Sequence, residues 1–474
     1  YSDHYLTKYP IDFLITGAGE KAFYNLAIND FSSTDRLIQE KNHPFSRIPF
    51  PYQPEDETKL KHKYVYYESS RGCPFKCAYC LSSRSDQLLK YKSEETVQSE
   101  IIKLLAFSPD IIKFVDRSFN VNQSFAKKIW SFLIRLKPKT VFHFEIHPSY
   151  IDQEMTDILR EAPKGLFQFE IGVQSTHPET LKAINRDSEW KTFSHQLQNL
   201  FQLKNIHYHL DQIAGLPFET YPILQNSFNQ IIHLKPDHYQ TGILKILHGT
   251  EMSDRHDEYG IKFSTRPPYQ IFSTKWLSYN ELREYQGIDH IVDTIYNSGH
   301  FTYFLQILFK LNLNIYQIFL AFSKQFQNHA IQKNEKNYQK LFSIIAEALV
   351  LIDLDENERL LWLDALRLDW AILSSAHFYP AALQGENCEE FRQQAWSLIK
   401  SKRHHEDFIM DATIFSLSDL RKARFFSALH ADFYHHIELE SSKIAGINKE
   451  FKKESLIGLV ILNAEKIILW KEKL

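Results

Sequence analysis

Cysteine is scarce in this chain, with only four in 474 residues. A secreted, disulfide-stapled scaffold spreads an even number of cysteines along a short sequence; this chain does the opposite, so that class is excluded. Three of the four crowd together as Cys73, Cys77 and Cys80. Clustered thiols in a long chain without a signal peptide imply a reducing, cytoplasmic setting, and the outlying Cys388 is expected to behave as a small buried hydrophobe. Charge of one sign is lacking too. The net charge of −3 sets up no field that would draw the molecule to nucleic acid or anionic lipid. Runs such as Lys59–Lys63 and Lys402–His405 read as solvated surface, and no aromatic-and-basic platform for stacking RNA bases stands out. Unbroken apolar runs of membrane length are missing as well. Phe301 to Phe322 has the length of a span, but Gln306, Lys310, Asn312, Asn314 and Gln317 interrupt it. Placing them in hydrocarbon costs several kcal/mol, so buried helix in a soluble domain is expected. The sequence opens on Tyr1 rather than Met, inside what reads as a structured element, so a piece of a longer protein is expected.

What is present is a globular balance of 43% hydrophobic and 24% charged residues, with length for two or three domains. Residues 1–41 contain an apolar stretch (Ile11, Phe13, Leu14, Ile15), a Gly17–Gly19 turn and a helix start, the kind of piece from which an open α/β sheet is built. Residues 42–63, with Pro44, Pro49, Pro51 and Pro54, read as a linker. From 64 to 275, strands alternate with amphipathic helices. The strands are expected at Tyr64–Ser69, Ile111–Val115, Val141–Ile146, Leu166–Val173, Ile206–Ile213 and His238–Leu247. Regular alternation of this kind predicts a parallel sheet with helices outside, a partial (β/α)6 TIM-like barrel within an α/β fold. Residues 276–474 keep helical spacing through Phe301–Gln327, Leu341–Ile352 and Glu358–Leu373, and end in a β-hairpin over Leu456–Trp470. A mostly helical C-terminal domain with no assignable motif is therefore expected.

The chemistry concentrates in Arg71-Gly72-Cys73-Pro74-Phe75-Lys76-Cys77-Ala78-Tyr79-Cys80, just after the first barrel strand. Soft thiolates match iron and bridging sulfide, and close spacing on one loop lets three of them reach three irons of one cubane. No fourth cysteine lies nearby, which leaves one iron open. A Cys₃His zinc site drawing on His62 is the structural alternative, but structural zinc pairs CxxC with a second ligand pair that is not evident here.

A CxxxCxxC with an aromatic residue before its last cysteine, on the loop after the first strand of a βα barrel, resembles the radical S-adenosylmethionine (SAM) superfamily. The resemblance implies a 4Fe–4S cluster on Cys73, Cys77 and Cys80, SAM bound at the open iron, and an electron donor such as flavodoxin or ferredoxin. It implies reductive cleavage of SAM to a 5′-deoxyadenosyl radical that attacks a small-molecule substrate. Tyr79 is expected to face the adenine, Glu170 or Gln174 the ribose hydroxyls, and Arg186 the methionine carboxylate. Asp116 and Glu145 are expected to bind substrate or shuttle protons, or else to tie loops to the barrel by ion pairs. Asp116-Arg117, Phe144-Glu145-Ile146-His147, Glu170 to Ser175 and Asp211 to Glu219 follow successive strands, as barrel-site residues do. Together they look like the branch with an N-terminal cobalamin-binding domain, of which residues 1–41 resemble the last strand–turn–helix. The DxHxxG of that domain is absent, so this chain is not expected to bind cobalamin tightly. A second cysteine trio, as in methylthiotransferases, is absent too. Methylation of an unactivated carbon, a cobalamin-free hydrogen abstraction or rearrangement, and a non-enzymatic iron–sulfur or redox-sensing protein all remain open.

Overall fold

A computed structural model describes residues 2–40, 45–84, 89–186, 189–311, 313–333, 335–374, 379–384, 392–393, 396, 424–430, 433–439, 456–463 and 466–471. The chain divides into two compact units, Tyr1–Arg283 and Glu284–Leu474. Cys388, His404 and His405 lie outside the described residues.

Six parallel strands organise the first unit: β1 (Tyr64–Tyr67), β2 (Ile111–Phe114), β3 (Val141–Glu145), β4 (Phe167–Gln174), β5 (His207–Ala214) and β6 (His238–Ile243). They lie side by side in chain order, with β1 and β6 at the edges, which is the open parallel barrel that the alternation predicts. Strand geometry turns alternate side chains to opposite faces. On β4, Phe167, Phe169, Ile171 and Val173 are buried toward the helices, while Gln168, Glu170 and Gly172 face the other way. The helix-side face is aromatic: Phe144 packs on Phe114 and Phe119, and Trp130 on Phe169, with ring centroids 4.5, 4.4 and 5.3 Å apart. Such pairs add about 0.5–1.5 kcal/mol each beyond the area they bury.

The outer helices begin where polar side chains can cap them. Ser93 accepts from the Thr96 amide ahead of α1 (Glu94–Ala106), and Asn122 from Phe125 ahead of α2 (Gln123–Leu136). Asp152 does the same for α3 (Gln153–Arg160), accepting from Met155. Ahead of the barrel, Leu14–Gly17 and Leu37–Glu40 form a parallel pair flanked by the helix Gly19–Ile28. Part of the expected linker is ordered on the barrel: Phe45 is buried and lies under the Arg71 guanidinium, 5.0 Å from ring centroid to Cζ.

The break between units falls at 283–284 rather than at 275–276. A short antiparallel pair, Lys262–Phe263 with Ile271–Ser273, explains the shift. Ile271 and Leu282 pack beneath Gly215 at the end of β5, which keeps this segment with the barrel.

In the second unit, the helices Thr302–Lys310, Ile315–Asn328, Tyr338–Ala348 and Glu356–Leu373 enclose Phe304, Phe342 and Trp362. The expected helical stretch over 301–327 is two helices, because Asn314 caps a new start at the Gln317 amide. The buried Asp364–Arg367 pair, 2.6 Å apart, is anchored where Asp364 accepts from the amides of Leu429 and His430. The expected hairpin is present, with Leu456–Asn463 antiparallel to Lys466–Lys471. Among the described residues, no helix is long and apolar enough to cross a membrane.

Candidate active site

The C-terminal ends of the strands open into a cavity of about 650 Å³. Cys73, Cys77 and Cys80 line it, together with Tyr79, Glu145, Glu170, Gln174 and Arg186. Residues expected from the sequence thus meet in one place, with a single exception. Asp116 is fully buried off the cavity, where it accepts from the Ser69 amide at 3.1 Å, from Ser69 Oγ at 2.7 Å and from Ser70 Oγ. Burial pushes its carboxyl up to about 6 even so. Its position is that of a pin between the loops after β1 and β2, not that of a catalytic group.

The cysteine loop is held by backbone contacts from elsewhere in the barrel. The Ala78 amide donates to the Ile184 carbonyl at 3.1 Å, and the Met252 amide donates to the Ala78 carbonyl at 2.8 Å. Asn185 Nδ2 donates to the Lys76 carbonyl at 2.9 Å. Burial raises the Cys73 and Cys77 thiols, neighbouring thiols raise them further, and Arg117 (for Cys73) and Arg186 (for Cys77) oppose this. Three half-buried thiols on one pinned loop, each facing the same cavity, fit a cluster held by thiolates. Among the described residues, no three potential metal ligands are already closed around one point, so the thiols would reach an ion by side-chain rotation.

Arg186 crosses the site. Its Nη2 donates to the Gly172 carbonyl at 2.8 Å and its Nη1 to the Tyr79 hydroxyl at 3.3 Å. A Cβ at Gly172 would stand 2.2 Å from Gln174 Nε2 and 3.2 Å from Arg186 Nη1, so the ends of both side chains would have to shift to admit one. Beside it the β4–β5 register shifts, Gln174 takes a positive φ of 70°, and its Oε1 is buried without a partner. A buried acceptor lacking a donor costs about 1–3 kcal/mol, and a ligand hydroxyl or amine would satisfy it.

The opposite wall is acidic. Register places Glu145 beside Glu170, and Asp211 beside Gly172 on the next strand. Burial raises Glu170, but a hydrogen bond with His143 Nε2 (3.0 Å) and the Lys113 ammonium (3.1 Å) outweigh it and hold the carboxyl at about 2. Glu145 is pushed up by burial, against the Arg117 guanidinium 3.3 Å away. Asp211 is pushed well up by burial and then by Glu170 and Glu145, and its Oδ1 is buried with no partner. The wall therefore offers one firmly ionised carboxylate and two that hold protons more readily. Phe75, His147, Tyr150 and Phe193 line the remaining side. There His147 stacks on Phe75 with centroids 5.2 Å apart, and burial, then Arg186, lower it to about 4.

Asp211, Arg117 and His147 stand in the motif stretches, but spacing alone assigns them no role. The missed signal is the alternation on β5: His207, His209 and Asp211 share the inner face with Glu170. Lys113 and His143, which charge Glu170, are separated from it by 57 and 27 residues; only the barrel joins them.

Residues 67–230 match the sequence profile of the radical SAM superfamily, and residues 257–449 match a family described as a protein of unknown function, DUF4080. Among solved structures the chain is similar to the radical SAM methyltransferase TsrM from Kitasatospora setae with cobalamin and a [4Fe–4S] cluster bound. That match has 16% identity, covers 44% of this chain and 40% of that one, and has a TM-score of 0.38. It is also similar to the cobalamin-dependent SAM radical enzyme OxsB with aqua-cobalamin and SAM bound, at 12% identity, 78% and 69% coverage and a TM-score of 0.46. A third is coproporphyrinogen III oxidase (HemN) from Escherichia coli, a radical SAM enzyme, at 17% identity, 48% and 52% coverage and a TM-score of 0.35. The chain spans about two fifths of the length of TsrM. The search of curated proteins gave no match. Residues 67–230, which carry the three cysteines at the mouth of an open parallel barrel, are thus similar to the radical SAM superfamily.

Proposed function

We propose that the chain is an enzyme that cleaves SAM reductively and uses the resulting radical on a small-molecule substrate. The observation that carries this reading is the convergence of Cys73, Cys77, Cys80, Tyr79, Glu170, Gln174 and Arg186 on one cavity of about 650 Å³. A volume of that size takes SAM beside a modest second molecule. A redox-sensing protein has no need of a cavity beside its thiols. When bound, the cluster and SAM supply one-electron cleavage of the sulfonium to a 5′-deoxyadenosyl radical.

The remaining work falls to the chain's own residues. Glu170, held ionised by His143 and Lys113, accepts hydrogen bonds from ligand hydroxyls or an ammonium. Gln174 Oε1 accepts another, and Arg186 sets the cationic side of the cleft that receives a carboxylate. Glu145 and Asp211 hold or release a proton at their carboxyl oxygens. Phe75, Tyr150 and Phe193 exclude water from the far wall. With dithionite, the cluster-loaded protein should form 5′-deoxyadenosine slowly without substrate. Absence of that product from protein containing four irons and bound SAM would overturn the reading.

Methyl transfer through cobalamin is the second reading. It is supported by the parallel strand pair and helix at Leu14–Glu40, whose Phe23, Tyr24, Ile28 and Phe31 are each about half exposed or more. Equilibrium dialysis with hydroxocobalamin, on this chain and on one extended upstream, tests it. Retention by the extended chain supports methyl transfer; failure in both leaves the cobalamin-free reaction.

A further inference from the structure

Beneath the cavity, the inner wall of the barrel carries an unusual concentration of imidazole. His207 and His209 alternate with Tyr208 on β5, so both turn to the inner face about 6.6–6.8 Å apart along the strand. His238 on β6 lies directly beside His209 in register, and His143 reaches over from β3. Ring centroids are 4.7 Å apart for His207–His209, 4.6 Å for His209–His238 and 5.7 Å for His143–His209. Imidazoles sharing one tetrahedral ion at a metal–nitrogen distance of about 2.0 Å have centroids roughly 5 Å apart.

We propose that His143, His207, His209 and His238 form a second metal site, separate from the cysteine loop, for one divalent transition ion of the zinc or ferrous class. Two observations beyond proximity point to a ligand. His207 Nδ1 and His209 Nε2 are buried without a hydrogen-bond partner, and an imidazole nitrogen left so is destabilising unless something binds it. His143 is already oriented through Nε2 by the Glu170 carboxylate at 3.0 Å, the carboxylate–histidine pairing that fixes a metal ligand's tautomer and leaves Nδ1 to coordinate. Among the described residues the imidazoles do not converge as they stand, and neither do the cysteines, so the proposed site requires rotation about the histidine side-chain torsions.

The site does not rest on the SAM reading. Glu170 joins the two places physically, lining the cavity on one side and holding His143 on the other. An ion here would add positive charge below the acidic wall.

Cobalt(II) is the probe, because its visible absorption reports nitrogen ligands in a tetrahedral field. The full chain carrying Cys73→Ala, Cys77→Ala and Cys80→Ala should bind one equivalent with that spectrum, as should the cluster-loaded native chain. His207→Gln and His209→Gln should each weaken binding at least tenfold, with unchanged far-ultraviolet circular dichroism. Equal binding in those variants, or no binding at micromolar cobalt in the cysteine-free chain, overturns the site and marks any bound ion as adventitious. If the histidine variants fail to fold, X-ray absorption on the cobalt-loaded cysteine-free chain decides. Three or four imidazoles in the first shell support the site; two or fewer overturn it.

Discussion

Burial gives several carboxyl groups in the barrel different duties. Glu170 stays ionised because Lys113 and His143 reach it, and Arg186 spans from Tyr79 to Gly172. If both face SAM, Glu170→Ala and Arg186→Ala should each weaken SAM binding by about 1–3 kcal/mol, measured by calorimetry on the cluster-loaded protein. Unchanged affinity in both would place SAM elsewhere. Glu219 is fully buried, accepts from Ser175 Oγ at 2.8 Å and is pushed up to about 8, chiefly by burial. An unfolded glutamate titrates at about 4.3. Between those values the unfolded chain binds fewer protons than the folded one, so stability from this group is full below about pH 4.3 and falls as pH rises toward 8. Glu219→Gln should remove that part of the decline, on the order of a few kcal/mol, in urea midpoints taken from pH 5 to 8. An unaltered slope would mean that Glu219 is already ionised when folded. Asp116 marks the limit of reading roles from position. Its place after the second strand suggested a cavity residue, yet Ser69 and Ser70 draw it into the wall, and no spacing announces a hydrogen-bond partner 46 residues away.

At the scale of elements, the barrel strands were legible because apolar residues alternate along them, as on β4, and because three of the helices between them begin at the capping residues Ser93, Asn122 and Asp152. Their ends were overrun. The sixth strand stops at Ile243, where the chain turns to meet Gln270 and Ile271 instead of continuing to Leu247. That antiparallel segment is not legible in the sequence, because two- and three-residue strands show no periodicity. It has a consequence at Gly215, whose φ is +91° and whose Cβ would lie 2.2 Å from Ile271 Cδ1. Gly215→Ala meets both strain and overlap, so it should cost about 1–3 kcal/mol in the urea midpoint. A neutral result would show that the loop after β5 is free to move away from the segment beneath it. The strand Leu37–Glu40 is not legible either, since three half-exposed residues and the exposed Gln39, beside a proline-rich stretch, give no alternation to read.

For the molecule as a whole, the parallel-stranded barrel was visible in periodicity, and the cysteine spacing pointed to the cofactor. The substrate was not visible, because the groups that shape the cavity come from four strands and several loops that only folding assembles. The proposed chemistry depends first on the thiol trio. Its most direct test is iron and sulfide content after anaerobic reconstitution of the native chain, of Cys73→Ala, Cys77→Ala and Cys80→Ala, and of Cys388→Ala. About four irons and four sulfides are predicted in the native chain and in Cys388→Ala, with loss of the cluster in each of the other three. Stoichiometric zinc without sulfide in the native protein, or a full cluster in any of those three variants, would contradict it.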